Sequence, residues 1–393
     1  MEQRISQSAR QQRLKLIRLI QKARESHLVA YVVGDRQGVA GRIGEDAVRP
    51  MYEHIRTLSF NGVPRIDLFL YSRGGGIEVP WRIVSMLREC CNELNVLVPY
   101  KAHSAATLVA LGADQIVMGK KGELGPIDPI LSRIEKEEKT VVQEELSVED
   151  VMSYLAFIKE RAGLSDQTAL ANSIGILAEK LTPWRLGSIY RAHSHIRMIA
   201  RKLLTSRQKS PDEQKLALII DSLAEKMYFH GHAIGRKEAE EIGLPISRPD
   251  RELEEKMWQL LEAYEHMMKL DRPVDPRTAI PDEQDEHSEP VILACIESDK
   301  RLDVFRGNLK FRHVRQMPPQ LNLNINLNLQ LPPGINPDQM PQAAQAVMQQ
   351  MLQQMRAQIA GLVQSEIKKQ APIQRTEGGL LDAFWQEATK EQI

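Results

Sequence analysis

The sequence has little cysteine and no metal-type spacing of cysteine and histidine. Three cysteines occur in 393 residues, and two of them, Cys90 and Cys91, are adjacent, while Cys295 stands alone. Neighbouring cysteines rarely bridge each other and the count is odd, so we expect free thiols in a reducing compartment instead of a disulfide framework. We expect no metal and no other cofactor, because the ligand spacings that hold metals are absent from the sequence.

The chain also lacks net charge and long apolar runs. Lys plus Arg and Asp plus Glu both number 52, so there is no global field to attract nucleic acid or an anionic membrane. The charged first 26 residues have no apolar core of the signal-peptide kind, and no stretch approaches the roughly 20 apolar residues of a membrane span. We therefore expect a cytoplasmic protein with no transmembrane segment and no nucleic-acid partner.

Short apolar strands that alternate with helices follow from His27 onward. This alternation is typical of an α/β fold with a largely parallel sheet. The pattern predicts strands at 28–33, 65–72, 95–100 and 115–119, and helices at 45–59, 79–90 and 104–113.

The composition divides the chain into four parts. Residues 1–26 predict an amphipathic helix, and residues 27–270 predict the main domain, with a charged helical insertion over about 132–190. The Pro- and acid-rich segment 271–290 indicates a linker. Residues 291–393 predict an α+β extension with a β-hairpin, a strand and a long helix.

Two segments of the extension favour self-association. LNLNINLNLQLP (321–332) alternates apolar and amide side chains with period two, which predicts a strand that needs a partner strand or subunit. The Gln/Met-rich segment 342–369 predicts a long helix with a narrow apolar face. With the N-terminal helix at the other end of the chain, these elements predict a homo-oligomer.

Three segments carry residues suited to chemistry. YSRGGGIEVP (71–80) places glycines between a strand and a helix, where backbone N–H groups can face a cavity and hold an oxyanion. Ser104 follows a strand and begins an apolar helix, a position that suits either a nucleophile or an ordinary N-cap. KGELGPIDP (121–129) is a rigid turn after the next strand, which could line a cleft.

The three segments together resemble the Clp/crotonase superfamily. Ser72-Arg73-Gly74-Gly75 is similar to a Ser-Pro-Gly-Gly stretch, His103-Ser104-Ala105-Ala106 to the nucleophile helix, GELGPIDP to a GPIDP-type loop, and AEEIGLPI (239–246) to an end signal. The resemblance is to the serine dehydrogenase proteinase family, within the signal-peptide-peptidase-like branch. It covers roughly residues 27–247 and implies a ββα spiral core.

This resemblance implies a serine peptidase. Ser104 would be the nucleophile, the backbone N–H groups of Gly75 and Ala105 would form the oxyanion hole, and Gly74 would shape the loop. A peptide or protein substrate would lie extended beside the Gly loop and the GPIDP loop, paired through its backbone.

The general base is less well defined by the sequence. Clp-type peptidases have a histidine at the GPIDP position, where this chain has Ile127 and Asp128, whereas related peptidases use a Ser-Lys dyad. Lys202 is the preferred lysine, because apolar neighbours could bury its stem. Lys136 and Lys139, in the charged insertion, are the other lysines.

Three histidines and two other functions remain as alternatives. His103, His193 and His195 are possible bases in place of a lysine. Acyl-CoA chemistry on the same fold would use the two N–H groups without a serine nucleophile. A catalytically silent assembly module would depend instead on the C-terminal strand and helix. The pyridoxal phosphate chemistry in the family's name has no supporting motif in this sequence.

Overall fold

The chain forms two compact units. The computed structural model describes residues 2–56, 58, 63–128, 130–137, 140–225, 231–281, 284–316 and 341–388. One unit comprises Met1–Val274, Val291–Gly307 and the segment from Ala383 onward, and the other comprises Asp275–Pro290 and Asn308–Asp382. These units divide the chain differently from the predicted boundaries, because part of the predicted extension completes the first unit. The predicted strand at 321–332 lies outside the described residues.

The helices occur where the apolar period of the sequence is close to 3.6. They are α1 (Glu2–Arg24), α2 (Val48–Arg56), α3 (Val79–Arg88), α4 (Ala105–Leu111), α5 (Val148–Ala156), α6 (Gln167–Lys180), α7 (Pro183–Thr205), α8 (Glu213–Ala224), α9 (Arg236–Ile242), α10 (Arg251–Met268), α11 (Pro276–Ala279) and α12 (Gln342–Gln370).

The strands include both long buried segments and pairs of residues. They are β1 (His27–Val33), β2 (Val63–Tyr71), β3 (Cys91–Val98), β4 (Lys101–Ala102), β5 (Gln115–Met118), β6 (Glu123–Leu124), β7 (Ile130–Glu137), β8 (Thr140–Ser147), β9 (Ile234–Gly235), β10 (Ile246–Ser247), β11 (Glu286–Glu297), β12 (Leu302–Arg315) and β13 (Ile373–Glu387).

A parallel sheet organises the first unit. Strands β10, β5, β3, β2 and β1 lie side by side in that order and all pair in parallel. On the other side of β1, Ala30–Val33 pair antiparallel with Ala294–Glu297 of β11. The predicted α/β class is confirmed.

A second layer of very short strands accompanies the sheet. β4 pairs in parallel with β6, and β6 pairs antiparallel with β9. Single bridges extend this layer between Ile43 and Gly75 and between Ser72 and Ala102. β1, β2 and β3 are therefore each followed by a short strand or bridge and then by a helix, which is the predicted ββα repeat. This repeat brings the turns after β2, β3 and β5 together at one edge of the sheet.

Alternation along β1 supplies both faces of the sheet with apolar side chains. Val29, Tyr31 and Val33 pack in the core beneath α2, α3, α4 and α7. The intervening side chains of the same strand pack in the core that α1 and α10 cover. Successive strand residues point to opposite faces, so this strand is buried along nearly its whole length.

A buried ion pair joins α1 to the sheet. Arg13 Nε donates to Glu297 Oε2 at 2.7 Å, and the Tyr264 hydroxyl on α10 donates to the same oxygen at 2.9 Å. Burial opposes the charge of Arg13, but Glu297 outweighs it and raises the pKa of the guanidinium. The predicted N-terminal helix is thus part of the first unit.

The insertion begins with a β-hairpin, whereas the sequence analysis predicted helix from residue 132. β7 and β8 pair antiparallel from Ile130 with Ser147 to Glu137 with Thr140. The charges of this segment obscured its β-branched residues, since Thr140, Val141 and Val142 favour a strand. α5 then begins at Val148, directly after β8.

The second unit contains α12 and the neighbouring segments of β12 and β13. Arg312 donates to Glu377 at 2.8 Å, and the ring of Phe311 packs over Gly378. Several apolar side chains of α12 are exposed, including Met351 and Leu362.

Two further expectations concerned free thiols and membrane-spanning helices. Cys90, Cys91 and Cys295 are all free thiols, as the odd count predicted. Within the described part of the chain, no helix combines the length and the apolar character needed to cross a membrane.

We expect Glu297→Ala to lower the free energy of unfolding by about 3–5 kcal/mol, since it leaves the buried Arg13 charge without its partner. Denaturant unfolding would measure this change. Glu241→Ala removes an exposed partner of Lys237 and should have little effect. Equal stabilities of the two variants would contradict the importance of the buried pair.

Candidate active site

Ser104 has a backbone conformation that is unusual for a residue with a side chain. Its φ is 52° and its ψ is −115°, immediately before α4. A positive φ costs a non-glycine residue of order 1–3 kcal/mol and persists only where the surroundings enforce it. The side chain makes no capping hydrogen bond, and the residue is partly exposed. The ordinary N-cap interpretation therefore does not account for Ser104.

Gly74 lies directly against Ser104. Gly74 has a φ of +113°, and a methyl group built on it would stand 2.8 Å from the Cβ of Ser104 and 3.0 Å from the carbonyl oxygen of His103. Contacts this short exclude any larger residue unless the backbone moves. The structure thus brings the Gly loop and the serine together, although they are separated by β3 in the chain.

The backbone bonds around the loop leave two amides without an acceptor. Gly74 N donates to Ser72 Oγ at 2.9 Å, and Gly76 N donates to the carbonyl of Ile43 at 2.9 Å. Among the described residues, no acceptor is recorded for the N–H groups of Gly75 or Ala105. Ala105 directly follows Ser104 in the chain, and Gly75 directly follows Gly74, which lies against Ser104.

The Gly loop is already paired along one edge by the chain itself. Ile43 N donates to the carbonyl oxygen of Gly74, and the carbonyl oxygen of Ile43 accepts from Gly76 N. Ile43 therefore occupies both of these loop groups. A methyl group on Gly75 would stand 2.2 Å from the Ile43 carbonyl oxygen. A peptide that pairs with residues 73–77, as the sequence analysis expected, would have to use the remaining groups of the loop.

A buried threonine ties the GPIDP loop to the nucleophile helix. Thr107 Oγ1 lies 2.8 Å from the carbonyl oxygen of Gly125 and 3.0 Å from its amide nitrogen. The side chain of His103 packs against the same glycine. The GPIDP loop is therefore held close to His103 and to the first turn of α4.

A carboxylate that the sequence analysis did not single out organises charged groups beside the Gly loop. Asp35 accepts hydrogen bonds from Tyr71, Arg73 and Lys101 at 2.7–2.8 Å. Burial opposes its charge, but these donors lower the pKa of Asp35 to about 2. We call Asp35 with its three donors the Asp35 cluster.

His103, next to the serine, has a carboxylate partner. Its Nε2 lies 3.2 Å from Glu123 Oε1. Burial lowers the pKa of His103, and the charges of Arg73 and Lys101 act in the same direction against Glu123. The lowered pKa favours the neutral imidazole, the form that can accept a proton.

Lys202 lies in a different place from the one its proposed role requires. The residue is exposed, and its ammonium group lies over the Trp81 ring at 5.5 Å. Its neighbour Leu203 meets Gly112, at the end of α4 opposite Ser104 and about 10 Å along that helix. The apolar neighbours of Lys202 are buried, but its own side chain is not, because it lies on the other face of α7.

His193 on α7 lies beside a second group of charged side chains. His193 Nε2 is 3.3 Å from Glu225 and 3.9 Å from Glu149, and Arg197 binds Glu225. Burial raises the pKa of Glu149 to about 7, with further contributions from Glu225 and Asp128. We call Asp128, Glu149, His193, Arg197 and Glu225 the Glu149 cluster.

Fewer contacts are recorded for the remaining candidate bases. His195 is partly buried on α7, with no polar partner recorded within the described residues. The backbone of Lys136 pairs with Val141 in the hairpin, but its side chain and all of Lys139 lie outside the described residues. Lys159 was not singled out from the sequence, yet it lies in a five-residue π-helical turn, Phe157–Arg161, a feature frequent at functional sites.

The N-terminal part of the chain is similar to a known protein family. Residues 1–163 match the family described as ClpP-like SDH-type serine proteinase. The match includes the Gly loop, Ser104 and the GPIDP loop, so the predicted resemblance and the Clp/crotonase-type core are confirmed. The match to a proteinase family supports a peptidase.

Two proteins of the archaeon Methanocaldococcus jannaschii are similar in sequence, and both are described as uncharacterised. One is 24% identical over 267 residues, which are 65% of this chain and 80% of that protein. The other is 30% identical over 127 residues, which are 30% of this chain and 41% of that protein.

Solved structures are only distantly similar to the whole chain. A mutant of the 1510-N membrane-bound stomatin-specific protease is 15% identical, with a TM-score of 0.34, over 55% of this chain and 79% of that one. ClpP1 from Listeria monocytogenes is 13% identical, with a TM-score of 0.32, over 60% and 99% of the respective chains. Scores this low support no argument about function.

We expect Gly74→Ala to slow reaction of Ser104 with an active-site phosphonate by about 100-fold, because the new methyl group displaces the serine. Gly163→Ala is the matched control, since Gly163 also has a positive φ but nothing within 4 Å. Rates of phosphonate labelling would measure both effects. Equal rates for the two folded variants would show that Gly74 does not constrain Ser104.

We expect the Glu149 cluster to make stability fall as pH rises from about 4.5 to 7. The folded protein holds a proton on Glu149 that the unfolded chain loses near its ordinary pKa, so deprotonation favours unfolding. After allowance for partial exposure, the loss is roughly 1–2 kcal/mol.

Unfolding measured from pH 5 to 8 would test this expectation. Glu149→Gln should flatten the decline, whereas Glu179→Gln, at an exposed position on α6, should leave it unchanged. An unaltered decline in Glu149→Gln would assign it to other groups.

Proposed function

We propose that the protein hydrolyses peptide bonds through an acyl-enzyme on Ser104. The observation that carries this proposal is the contact between a strained serine, whose hydroxyl makes no capping bond, and a Gly loop beside two unpaired amides. The family match over residues 1–163 supports the same activity.

The chemistry follows from these groups. The Ser104 oxygen attacks the carbonyl carbon of the scissile bond as a base takes its proton, and the carbonyl oxygen becomes an oxyanion. The N–H groups of Gly75 and Ala105 donate to that oxygen, which is worth about 3 kcal/mol per donor. The C–N bond then breaks as the amine accepts a proton, and water hydrolyses the ester that remains on Ser104.

The sequence-based proposal of a Ser-Lys dyad competes with a histidine base. His103 is supported by its neutral imidazole and its Glu123 partner, which would orient the ring. Lys202 is not supported, because its ammonium group lies on Trp81. Lys159 is a further lysine to test, because it lies in the π-helical turn.

Substitution of each candidate base distinguishes these proposals. Loss of the base should slow labelling of Ser104 by about 100-fold or more, whereas loss of an unrelated residue should not. The set to substitute is His103, His193, His195, Lys136, Lys139, Lys159 and Lys202.

We propose a homo-oligomer, as the sequence analysis expected. In the second unit, the exposed apolar side chains of α12 support this assembly, since they remain in contact with solvent in a single chain. Light scattering coupled to gel filtration would measure the mass in solution. A monomer at micromolar concentration would contradict the proposal.

We expect Lys202→Met to label at within about twofold of the parent rate, since the ammonium group lies over the Trp81 ring. Time courses with a fluorophosphonate probe would give the rates. A loss approaching that of a base variant would restore Lys202 to the dyad.

We expect a fluorophosphonate probe to label the parent protein and to leave Ser104→Ala unlabelled. Ser188→Ala, on α7, is the matched control and should label normally. Labelling of Ser104→Ala, or none of the folded parent, would reject the acyl-enzyme, and would favour acyl-CoA chemistry or a silent assembly role.

A further inference from the structure

Arg73 is an exposed charge that adjoins the Gly loop. It directly precedes Gly74, and 63% of its side chain is exposed. Only Gly74 separates it from Gly75, and the two α-carbons are at most about 7 Å apart even in extended chain. Its guanidinium therefore lies within reach of the residues next to a scissile bond held by the Gly75 amide.

The Asp35 cluster holds this guanidinium in one orientation. Arg73 Nε donates to Asp35 Oδ2 at 2.8 Å, and Lys101 donates to the same oxygen. The Asp35 side chain is only 9% exposed and its other oxygen accepts from Tyr71, so the anchor is fixed by three donors. An arginine that is fixed before ligand arrives loses less conformational freedom on binding.

The two terminal nitrogens of the Arg73 guanidinium, here called its fork, remain available to a ligand. Only its Nε has a recorded acceptor among the described residues, which leaves the two terminal nitrogens facing solvent. A guanidinium fork of this kind matches the two oxygens of a carboxylate.

Other charges near the site do not cancel this one. Glu123 is engaged with His103, and Glu78 stands against Gly76. The single charge of Asp35 is shared between Arg73 and Lys101. Burial, Arg73 and Lys101 together lower the pKa of His103 despite Glu123. The positive charges of Arg73 and Lys101 therefore act on His103, the residue that adjoins the nucleophile.

We propose that Arg73, held by Asp35, is an anion-binding subsite beside Ser104 that selects peptides with an Asp or Glu side chain close to the scissile bond. This inference rests on the proposed peptidase function and adds its substrate class. Lys101 positions Asp35 and is itself largely covered, so Arg73 is the group that contacts the ligand.

Peptide binding to the Ser104→Ala protein tests this subsite without requiring catalysis. Two fluorescent peptide pools would be identical except for a central Glu or a central Gln, and anisotropy would report their affinities. We expect the Glu pool to bind about three- to tenfold more tightly at low ionic strength, and the difference to shrink as salt is added.

Removal of the Arg73 guanidinium should abolish the preference for the Glu pool over the Gln pool. Adding Arg73→Gln to Ser104→Ala should make the two pools bind equally, while Asp35 keeps its bonds to Tyr71 and Lys101. Adding Arg277→Gln, which removes an exposed arginine paired with Asp275 in the second unit, should leave the preference intact.

The outcomes separate the subsite from the peptidase activity. Equal binding of both pools to Ser104→Ala, or a preference that survives Arg73→Gln, would overturn the subsite even if Ser104 labels with a phosphonate. Absence of labelling in the parent would reject the peptidase, whereas an Arg73-dependent Glu preference would still establish the anion-binding subsite.

Discussion

The close approach of Gly74 to Ser104 is the constraint on which the site depends. A side chain at position 74 would overlap the Cβ of Ser104, so the two backbones can meet only because one residue is glycine. The same contact helps to hold Ser104 at a positive φ, with its hydroxyl free of helix capping. Strain of this kind is maintained by the packing of the elements on either side.

The fold provides that packing through non-local bonds. The bridge between Ser72 and Ala102 aligns the Gly loop with the segment before Ser104, and Ile43 closes the loop from the opposite side. Thr107 fixes the GPIDP loop to the first turn of α4. The positions of three loops are therefore set by the sheet and its second layer, while the amides of Gly75 and Ala105 have no recorded acceptor in the described part of the chain.

Much of this arrangement could be predicted from the sequence, because its signals are local. Strands followed by glycines, a serine among alanines and a Gly/Pro turn are each contained in about ten residues. The Asp35 cluster has no such signal, since Asp35 is 38 residues from Arg73 and 66 from Lys101. The pairing of β1 with β11 likewise has no local signal in the sequence. Residues 291–307 were therefore expected outside the main domain.

The preference for Lys202 shows a different limit of sequence reasoning. Apolar neighbours on α7 predicted burial of the lysine, but a helix turns each residue by about 100°, and Ile199 and Leu203 are buried on a face that excludes Lys202. Which side of a helix meets the site depends on how it packs, and only the fold determines that.

The most direct test of the account is the position of the covalent adduct after reaction with a fluorophosphonate. Tandem mass spectrometry of the digested protein would locate the phosphonyl group. The account predicts a single adduct on Ser104, formed only while the protein is folded. An adduct on another residue, or none on the folded protein, would contradict the assignment of Ser104 as the nucleophile.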